Sequence, residues 1–299
     1  MIRSFDWRDF GLVRRLSERG VCFDSEAALT RGAHTLQSAV LSFLTPGVGL
    51  PTYILKQDDG DGFGQLRFRA GDGNAHLTFL APCYEPTAVW ETLLEHLCVE
   101  AGSRGAHNLV AEVDENSDEF EALRRFGFAI YARQRLWRRD RPHPPVTAIV
   151  GPSLRPQTSI DSIGIQALYA NIVPRLIHQV EPPPARYGHG FILEEEGEIT
   201  ACFDISRGPL GIWIQPYLHP SVSNHANALI ADLLCRFTDR DSVPVYFCVR
   251  SHQEWLRTSL IDLEFSPWAD QAVMVKRLAV RIAEPEFKPL PAIRGVTVK

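Results

Sequence analysis

The most constraining feature of this 299-residue chain is an internal repeat at a constant offset of 137 positions. Residues 122–137 align with residues 259–274, and similar side chains meet along the whole stretch. The matched pairs are Leu123 with Leu260, Phe126 with Leu263, Phe128 with Phe265, Tyr131 with Trp268, Ala132 with Ala269 and Gln134 with Gln271. A repeat of this length is a whole domain rather than a solenoid unit. The chain is therefore predicted to fold as two related halves.

Composition excludes several classes of protein. With 45% hydrophobic and 22% charged residues, the chain has enough apolar material for two globular cores. A net charge of -5 argues against nucleic acid as a partner, because phosphate contacts need clustered Lys and Arg. No apolar run or leader pattern indicates a membrane partner. The six cysteines form no C-x-x-C pair, which argues against a metal site and favours the reducing cytoplasm.

Hydrophobic periodicity predicts the same succession of elements in both halves. In the first half it predicts helices at 7–19, 35–44, 90–101 and 118–126, and strands at 51–56, 64–69, 75–80, 108–113 and 128–137. In the second half it predicts strands at 190–193, 200–205, 212–214, 243–249 and 271–281, with helices at 226–237 and 254–263. The predicted organisation is a domain at 1–141, a proline-rich linker at 142–152, a second domain at 153–283 and an irregular tail at 284–299.

Residues 78–137 resemble the GNAT acetyltransferase superfamily. An apolar strand leads through a turn to a helix that ends in A-x-x-x-G at Ala101 and Gly105. A second apolar strand follows, then Asn116, and eleven residues later Gly127-Phe128. The resemblance covers the first half and, more faintly, the second. It implies an α/β fold of two tandem GNAT-like domains, each a mixed, twisted sheet flanked by helices.

The resemblance also implies where acetyl-coenzyme A would bind. In this family the co-substrate lies where two central strands part, and the start of the following helix receives the pyrophosphate. In this chain that geometry assigns the pantetheine arm to the backbone of Phe79, Leu80 and Ala81, and the pyrophosphate to the helix that begins near Thr87. Asn116 completes the cofactor-binding set, although as a helix cap it would have the same position without a cofactor. No metal is implied.

The sequence departs from the family pattern at two functional positions. The turns at 82–88 and 216–224 contain no glycine, and their prolines remove possible N–H donors to a phosphate. The first turn also contains Glu85, which would repel a pyrophosphate. The tyrosine that commonly serves this family as general acid falls at Leu123 and at Leu260, and leucine cannot transfer a proton.

His76 is the candidate catalytic residue. Strand alternation places it on one face with Thr78, and Leu77 and Phe79 on the other. If Arg67 and Arg69 of the neighbouring strand share that face, the cluster would line the acceptor side of the cleft, and His76 would be a plausible base. The more ordinary interpretation is a solvated sheet face with polar alternation.

Two functions follow from these observations. The first is an N-acetyltransferase that moves an acyl group from acetyl-coenzyme A to a small amine. The first half is the expected site, because it has Asn116 and Gly127-Phe128 where the second has Gln253 and Glu264-Phe265. The alternative is a catalytically inactive tandem GNAT fold that serves as a binding or regulatory module. The incomplete phosphate turns and the missing tyrosine favour this alternative.

Overall fold

The computed structural model of this protein describes residues 1–45, 49–58, 60–69, 72–84, 88–140, 151–184, 190–237 and 243–278. Most of the predicted proline-rich linker lies outside these residues. The predicted tail at 284–299 lies wholly outside them, as does the end of the strand predicted at 271–281.

The first half begins and ends with a strand. Its elements are β1 (Ile2–Ser4), α1 (Phe10–Ser17), β2 (Val21–Cys22), α2 (Ser25–Arg31), α3 (Thr35–Leu44), β3 (Thr52–Leu55), β4 (Gly62–Phe68), β5 (Asn74–Ala81), α4 (Ala88–Ser103), β6 (Asn108–Asp114), α5 (Asp118–Arg125) and β7 (Ala129–Arg139). The helix predicted from residue 7 starts as a 3-10 turn at Trp7–Asp9. Gly127 has a φ of 81°, the left-handed conformation that favours glycine just beyond a helix.

The second half repeats this order without counterparts of β2 and α2. Its elements are β8 (Arg155–Pro156), α6 (Ser162–Ile172), α7 (Arg175–His178), β9 (Gly190–Glu195), β10 (Glu198–Arg207), β11 (Ile212–Leu218), α8 (Ala226–Cys235), β12 (Val245–Arg250), α9 (Arg257–Asp262) and β13 (Ser266–Arg277). 3-10 turns precede α6, α8 and α9. Beyond the predicted elements, the structure adds β1, β2, α2, β8, α6 and α7.

The strands form one continuous mixed sheet in which the two halves follow the same order from opposite edges. Within the described part of the chain that order is β1-β3-β4-β5-β6-β13-β7-β12-β11-β10-β9-β8, and β2 pairs with β5 off this path. β13 from the second half lies between β6 and β7, and β7 from the first half lies between β13 and β12. Each half therefore contributes its last strand to the sheet of the other half.

Gln134 and Gln271 lie on the pseudo-twofold axis. They stand opposite each other in the β7–β13 pair, and Gln134 Nε2 donates to Gln271 Oε1 at 2.9 Å. The register shifts at two places, where Tyr131 and Trp268 fall outside the pairing. The repeat aligns these two residues with each other, so the offset read from the sequence agrees with the register of the strands.

Helices cover both faces of the sheet. On one face α4 and α5 pack over the first half, and α8 and α9 pack over the second, with Trp90, Leu123, Leu229 and Leu260 all 0–1% exposed. On the opposite face, α1 and α3 pack over the first half and α6 and α7 over the centre and second half. Because both sides are buried, most central strands are apolar on both faces.

Each half opens with the same charged motif. Arg3 binds the Asp9 carboxylate through both terminal nitrogens at 2.6 and 2.8 Å, and Arg155 binds Asp161 in the same way at 2.9 and 2.8 Å. Each aspartate also closes a capping box at the 3-10 turn that precedes α1 or α6. The structural repeat thus extends upstream of the residues that the sequence alignment matched.

Candidate functional site

The central strands of the first half part after three residue pairs. β5 and β6 run parallel and pair at Asn74–Asn108, Ala75–Leu109 and His76–Val110 only. Beyond these pairs the chain's own residues 21–23 lie between the two strands, and we call them the filler segment. Val21 pairs with Leu80 and Cys22 with Phe79.

The filler segment bonds to both sides of the gap. Phe23 N donates to Thr78 O at 3.0 Å, and Phe23 O accepts from Glu112 N at 3.0 Å. The Phe23 ring is 2% exposed and meets the edge of Trp90, with centroids 5.9 Å apart. Because its backbone is hydrogen-bonded to both strands and the Phe23 ring is buried against Trp90, this segment is part of the sheet and of the core.

The residues on either side of the filler segment fix its path. At Gly20, an added Cβ would lie 2.7 Å from Leu80 O, so only glycine lets the chain approach β5 this closely. At the other end, the Asp24 carboxylate accepts from Ala27 N at 3.2 Å and caps α2. The close approach of Gly20 to β5 before the filler segment, and the α2 cap at Asp24 after it, therefore fix its path at both ends.

The predicted cofactor residues do not present a free backbone edge in this arrangement. Phe79 and Leu80 pair with β4 on one side and with β2 on the other, and Ala81 pairs with Phe63. A pantetheine arm could pair there only if the filler segment left the gap. Thr87 lies outside the described residues. Asn116 is exposed, and its backbone N–H donates to Asp114 Oδ1 at 2.8 Å. It does not cap α5 as predicted, because Ser117 is the N-cap and accepts from Phe120 N at 3.2 Å.

The predicted face for Phe79 is wrong. The register of β5 against β4 shifts between Gln65 and Leu66, and this bulge reverses the alternation. Leu77 packs under α4 as expected, whereas Phe79 packs with Phe63 on the opposite face, where the rings stack 5.4 Å apart. Thr78 is buried, with its hydroxyl donating to Gln65 O.

In the second half the corresponding gap contains no described strand. β11 and β12 pair at Ile212–Val245, Trp213–Tyr246 and Ile214–Phe247, and no described strand pairs with β11 beyond Ile214 on this side. One side chain crosses the gap, because Gln253 Nε2 donates to Leu218 O at 3.2 Å. Gln253 is 2% exposed, and its Oε1 has no partner among the described residues.

The turn after β11 is closed by its own histidine. His219 Nδ1 accepts from Ser221 N at 3.2 Å, and His219 O accepts from Val222 N at 3.1 Å. Amides that start a helix commonly bind phosphate, but in this turn two of them already have partners. An anion that binds Ser221 N would have to displace the His219 side chain.

A cavity of about 380 Å³ opens on the face of the sheet that carries α2 and α6. It spans the pseudo-twofold axis, and both halves contribute to its wall. The charged side chains among its described lining residues are six carboxylates, three guanidiniums and one imidazole: Asp24, Glu26, Asp72, Glu112, Glu181, Asp204, Arg67, Arg69, Arg250 and His76. The cavity is therefore acidic, and the strand gaps of both halves border it.

His76 lies in this cavity, on the same wall as Arg67 and Arg69. Its Nε2 is 3.2 Å from Asp72 Oδ2. Arg67 pairs with Asp24 at 2.8 Å, and Arg69 pairs with Glu26 at 3.2 Å. His76, Arg67 and Arg69 therefore share a face, which the sequence had left open, and each of these arginines has a carboxylate partner.

Glu181 joins the two halves at the far wall of the cavity. Its carboxylate accepts from Tyr131 Oη at 2.6 Å and from Arg250 Nη2. Its backbone oxygen accepts from the Tyr169 hydroxyl at 3.0 Å. The cluster thus connects β7, β12 and α6.

Burial changes the acidity of several groups around the cavity. Desolvation, with Asp24 nearby, raises the pKa of Glu112 even though Ser25 N donates to its carboxylate at 2.9 Å. Desolvation also raises the pKa of Tyr217 well above its usual value, with the Glu181 charge adding to the effect. Glu112 is thereby shifted towards the neutral acid, and Tyr217 stays a neutral phenol.

Sequence reasoning missed Glu181, Arg250 and Tyr217 as cavity residues. Arg250 ends the apolar strand β12, and a charge at the end of a buried strand is a signal that could have been followed. Glu181 stands between a short helix and three prolines, where no periodicity marks it.

The described residues hold no group of three or more potential metal ligands, and no described helix is long and apolar enough to cross a membrane.

Comparison with known proteins gives matches in structure only. No protein-family model matches the chain, and no curated protein sequence matches it significantly. A GCN5-related N-acetyltransferase from Sphaerobacter thermophilus is similar with a TM-score of 0.61 and 12% identity, over 93% of this chain and 95% of that one. A tandem GNAT protein from the clavulanic acid biosynthesis pathway has a TM-score of 0.57 and 15% identity, over 93% and 98% of the two chains. The chain thus has the tandem GNAT fold.

Proposed function

We propose that this protein is an N-acyltransferase that uses acetyl-coenzyme A in its second half and accepts a small amine in the central cavity. The observation that carries this proposal is the difference between the two strand gaps. The filler segment forms hydrogen bonds with both strands of the first gap. In the second gap, the edge of β11 that faces β12 has no described strand partner beyond Ile214. The pantetheine of an acyl thioester is a backbone-like chain that could pair with such an edge.

The charge of the cavity supports an amine as acceptor. Three of its six described carboxylates pair with the three arginines, through Asp24, Glu26 and Glu181. Asp72 is one of the other carboxylates and pairs with His76 rather than with an arginine, so acidic groups outnumber the arginines in the described lining. A protonated amine is attracted to such a site, while a neutral acceptor would gain nothing from it.

The chain's own groups can move the two protons that the reaction needs. Glu112 is the best acceptor for the proton of the incoming ammonium, because burial raises its pKa towards that of a working base. The amine nitrogen then attacks the acyl carbon, and the carbon–sulfur bond breaks. Tyr217 borders the second gap and can protonate the departing thiolate. The second proton of the attacking nitrogen then passes to the Tyr217 phenolate, which restores the phenol. Tyr217 would replace the family tyrosine, whose positions are taken by the core residues Leu123 and Leu260.

Other predicted roles also belong to this proposal. His76 stays a candidate base at the opposite end of the cavity from Tyr217. The cofactor roles of Phe79, Leu80, Ala81, Thr87 and Asn116 stay predictions for a state in which the filler segment has left the first gap. All six cysteines are reduced thiols, in keeping with the expected cytoplasmic location.

A matched pair of tyrosine variants tests the proposal. Tyr217→Phe should lower turnover on any amine that wild type acetylates by about 10²-fold, the usual scale for losing a general acid, with acetyl-coenzyme A affinity unchanged. Tyr169→Phe, which removes the neighbouring hydroxyl that donates to Glu181 O, should change turnover only a few-fold. Thiol release from acetyl-coenzyme A over a panel of primary amines gives the rates. Equal rates for the two variants would remove Tyr217 from the mechanism.

One observation favours a second function, a non-catalytic module that binds a small ligand. The first gap is filled, and the turn beside the second gap has its amides bonded to His219. If acetyl-coenzyme A fails to stabilise the protein at high concentration, while a small charged ligand does, this second function holds. A ligand at a hundred times its Kd stabilises a protein by about 2.7 kcal/mol, which a thermal-shift assay detects.

A further inference from the structure

We propose that the molecule bound in the central cavity is an amino carboxylate, with its carboxylate on Arg250 and its ammonium among the cavity's acids. The proposal rests on the proposed acyltransferase in one respect, because it names the class of that enzyme's acceptor. The binding site itself follows from the charges in the cavity. Nothing in its recognition requires the acyl donor to be present.

Arg250 supplies the first observation. It is 8% exposed and lines the cavity, yet only Nη2 has a partner, the Glu181 carboxylate. Its Nε and Nη1 have no hydrogen-bond partner among the described residues. Buried donors without partners destabilise a fold, so a guanidinium in this state indicates an acceptor that arrives from outside.

The geometry of the free nitrogens points to a carboxylate. Either Nε or Nη1, together with the Nη2 hydrogen that Glu181 does not use, forms a planar fork of donors that matches two oxygens on one carbon. Arg67, which also lines the cavity, has an unpartnered Nε as well, so the described lining offers a second free donor of the same kind. A phosphate or sulfate would carry its larger charge into a cavity where carboxylates outnumber arginines six to three among the described residues, and these repel it.

The ammonium end has its own partners. Glu112 and Asp72 line the same cavity and form no ion pair with its three arginines. Glu112 accepts from Ser25 N and Asp72 from Asn74 N, with His76 beside Asp72, so each carboxylate still has lone pairs for an ammonium. A zwitterion with a single carboxylate and a single ammonium satisfies both the free guanidinium donors and these acids. A simple amine satisfies only the acids, and a simple acid satisfies only the arginine.

The test compares amino acids with their decarboxylated amines, on the full chain and without acyl donor. Thermal shift over the common amino acids selects binders, and calorimetry then gives Kd for pairs such as lysine with cadaverine, ornithine with putrescine and phenylalanine with phenethylamine. We expect at least one amino acid to bind ten-fold or more tightly than its amine. Equal or tighter binding of every amine, or no binding of any amino acid, would overturn the proposal.

Variants assign the discrimination to Arg250. Arg250→Met should reduce the preference for the amino acid to less than three-fold, and Arg69→Met, which removes a half-exposed arginine already paired with Glu26, should leave it intact. Arg250→Met leaves the Glu181 carboxylate without its arginine partner. The double variant Arg250→Met/Glu181→Gln removes both charges and therefore provides a second test. A preference that survives in both Arg250 variants contradicts the assignment. Loss of acetyl transfer with the preference intact would instead refute only the proposed acyltransferase.

Discussion

The two strand gaps differ although the strands that form them correspond one to one. In the first half the gap between β5 and β6 holds Val21, Cys22 and Phe23, which bond to both strands through their backbone. In the second half the gap between β11 and β12 is crossed only by the Gln253 side chain among the described residues. The same fold has thus made one gap part of its core and left β11 without a described strand partner in the other.

The cause of the difference is a short insertion. Between α1 and α3 the first half adds β2 and α2, whereas in the second half α6 ends at Ile172 and α7 begins at Arg175. The insertion also joins the halves, because Thr30 O at the end of α2 accepts from Leu210 N at 2.9 Å. One added segment therefore fills its own gap and packs against the other half.

The largest expected effect comes from removing the ring that fills the first gap. Phe23→Ala should destabilise the protein by about 3–5 kcal/mol, because the ring is buried against Trp90 and would leave a cavity. Denaturant unfolding measures the change. A loss of stability below about 1 kcal/mol, together with new binding of acetyl-coenzyme A, would contradict this account. It would show that residues 21–23 can leave the first gap and that both gaps can bind the cofactor.

The charged motifs at the start of the two halves should contribute comparable amounts. Asp9→Asn and Asp161→Asn should each destabilise by about 1–3 kcal/mol, the usual range for hydrogen bonds to a charged group. Despite burial, hydrogen bonds from arginine hold the pKa of both carboxyls below the usual range. Their stabilisation is therefore complete above about pH 5 and disappears as pH falls through the folded-state values.

Unfolding of the two variants between about pH 2 and 7 tests that expectation. The difference from wild type should shrink below about pH 4, where the unfolded-state carboxyl takes up its proton. A difference that stays constant over the whole range would mean that the ion pairs are not its source. A large effect in one half alone would break the correspondence between the motifs.

A further effect, confined to acid pH, should appear in the turn that follows β12. In the second half His252 has a pKa lowered to about 4 by burial and by the Arg250 charge, while the corresponding turn of the first half holds Asn116. Since an unfolded histidine titrates near about pH 6.5, wild type should lose stability as pH falls from about 6.5 to 4. His252→Asn should flatten this slope, and Asn116→Ala should leave it unchanged. Parallel slopes for wild type and His252→Asn would show that His252 is not the titrating group.

The sequence predicted the regular elements well where periodicity was strong. The helix at Ala88–Ser103 and the paired strands of both halves follow from apolar spacing alone. It could not predict the insertion, because β2 has two residues and α2 has seven, too few to show a period. The face of Phe79 was wrong because a bulge is a property of the strand pair, not of one strand.

The site was harder to predict than the fold for a similar reason. The sequence left open whether His76 shares a face with Arg67 and Arg69, and the structure shows that all three line one cavity. Glu181 and Arg250 meet across 69 positions of the second half. Tyr131 of the first half joins them on β7, the strand that the exchange places beside β12. Contacts that depend on such an exchange leave no local pattern to follow.

The most direct test asks whether only the second gap receives an acyl thioester. A crystal structure with acetyl-coenzyme A or a stable thioether analogue answers it. We expect ligand density along β11 from Ile214 to Leu218, with the Gln253 side chain displaced and residues 21–23 still bonded to Thr78 and Glu112. Density between β5 and β6, with residues 21–23 expelled, would contradict the proposed division of roles between the two gaps.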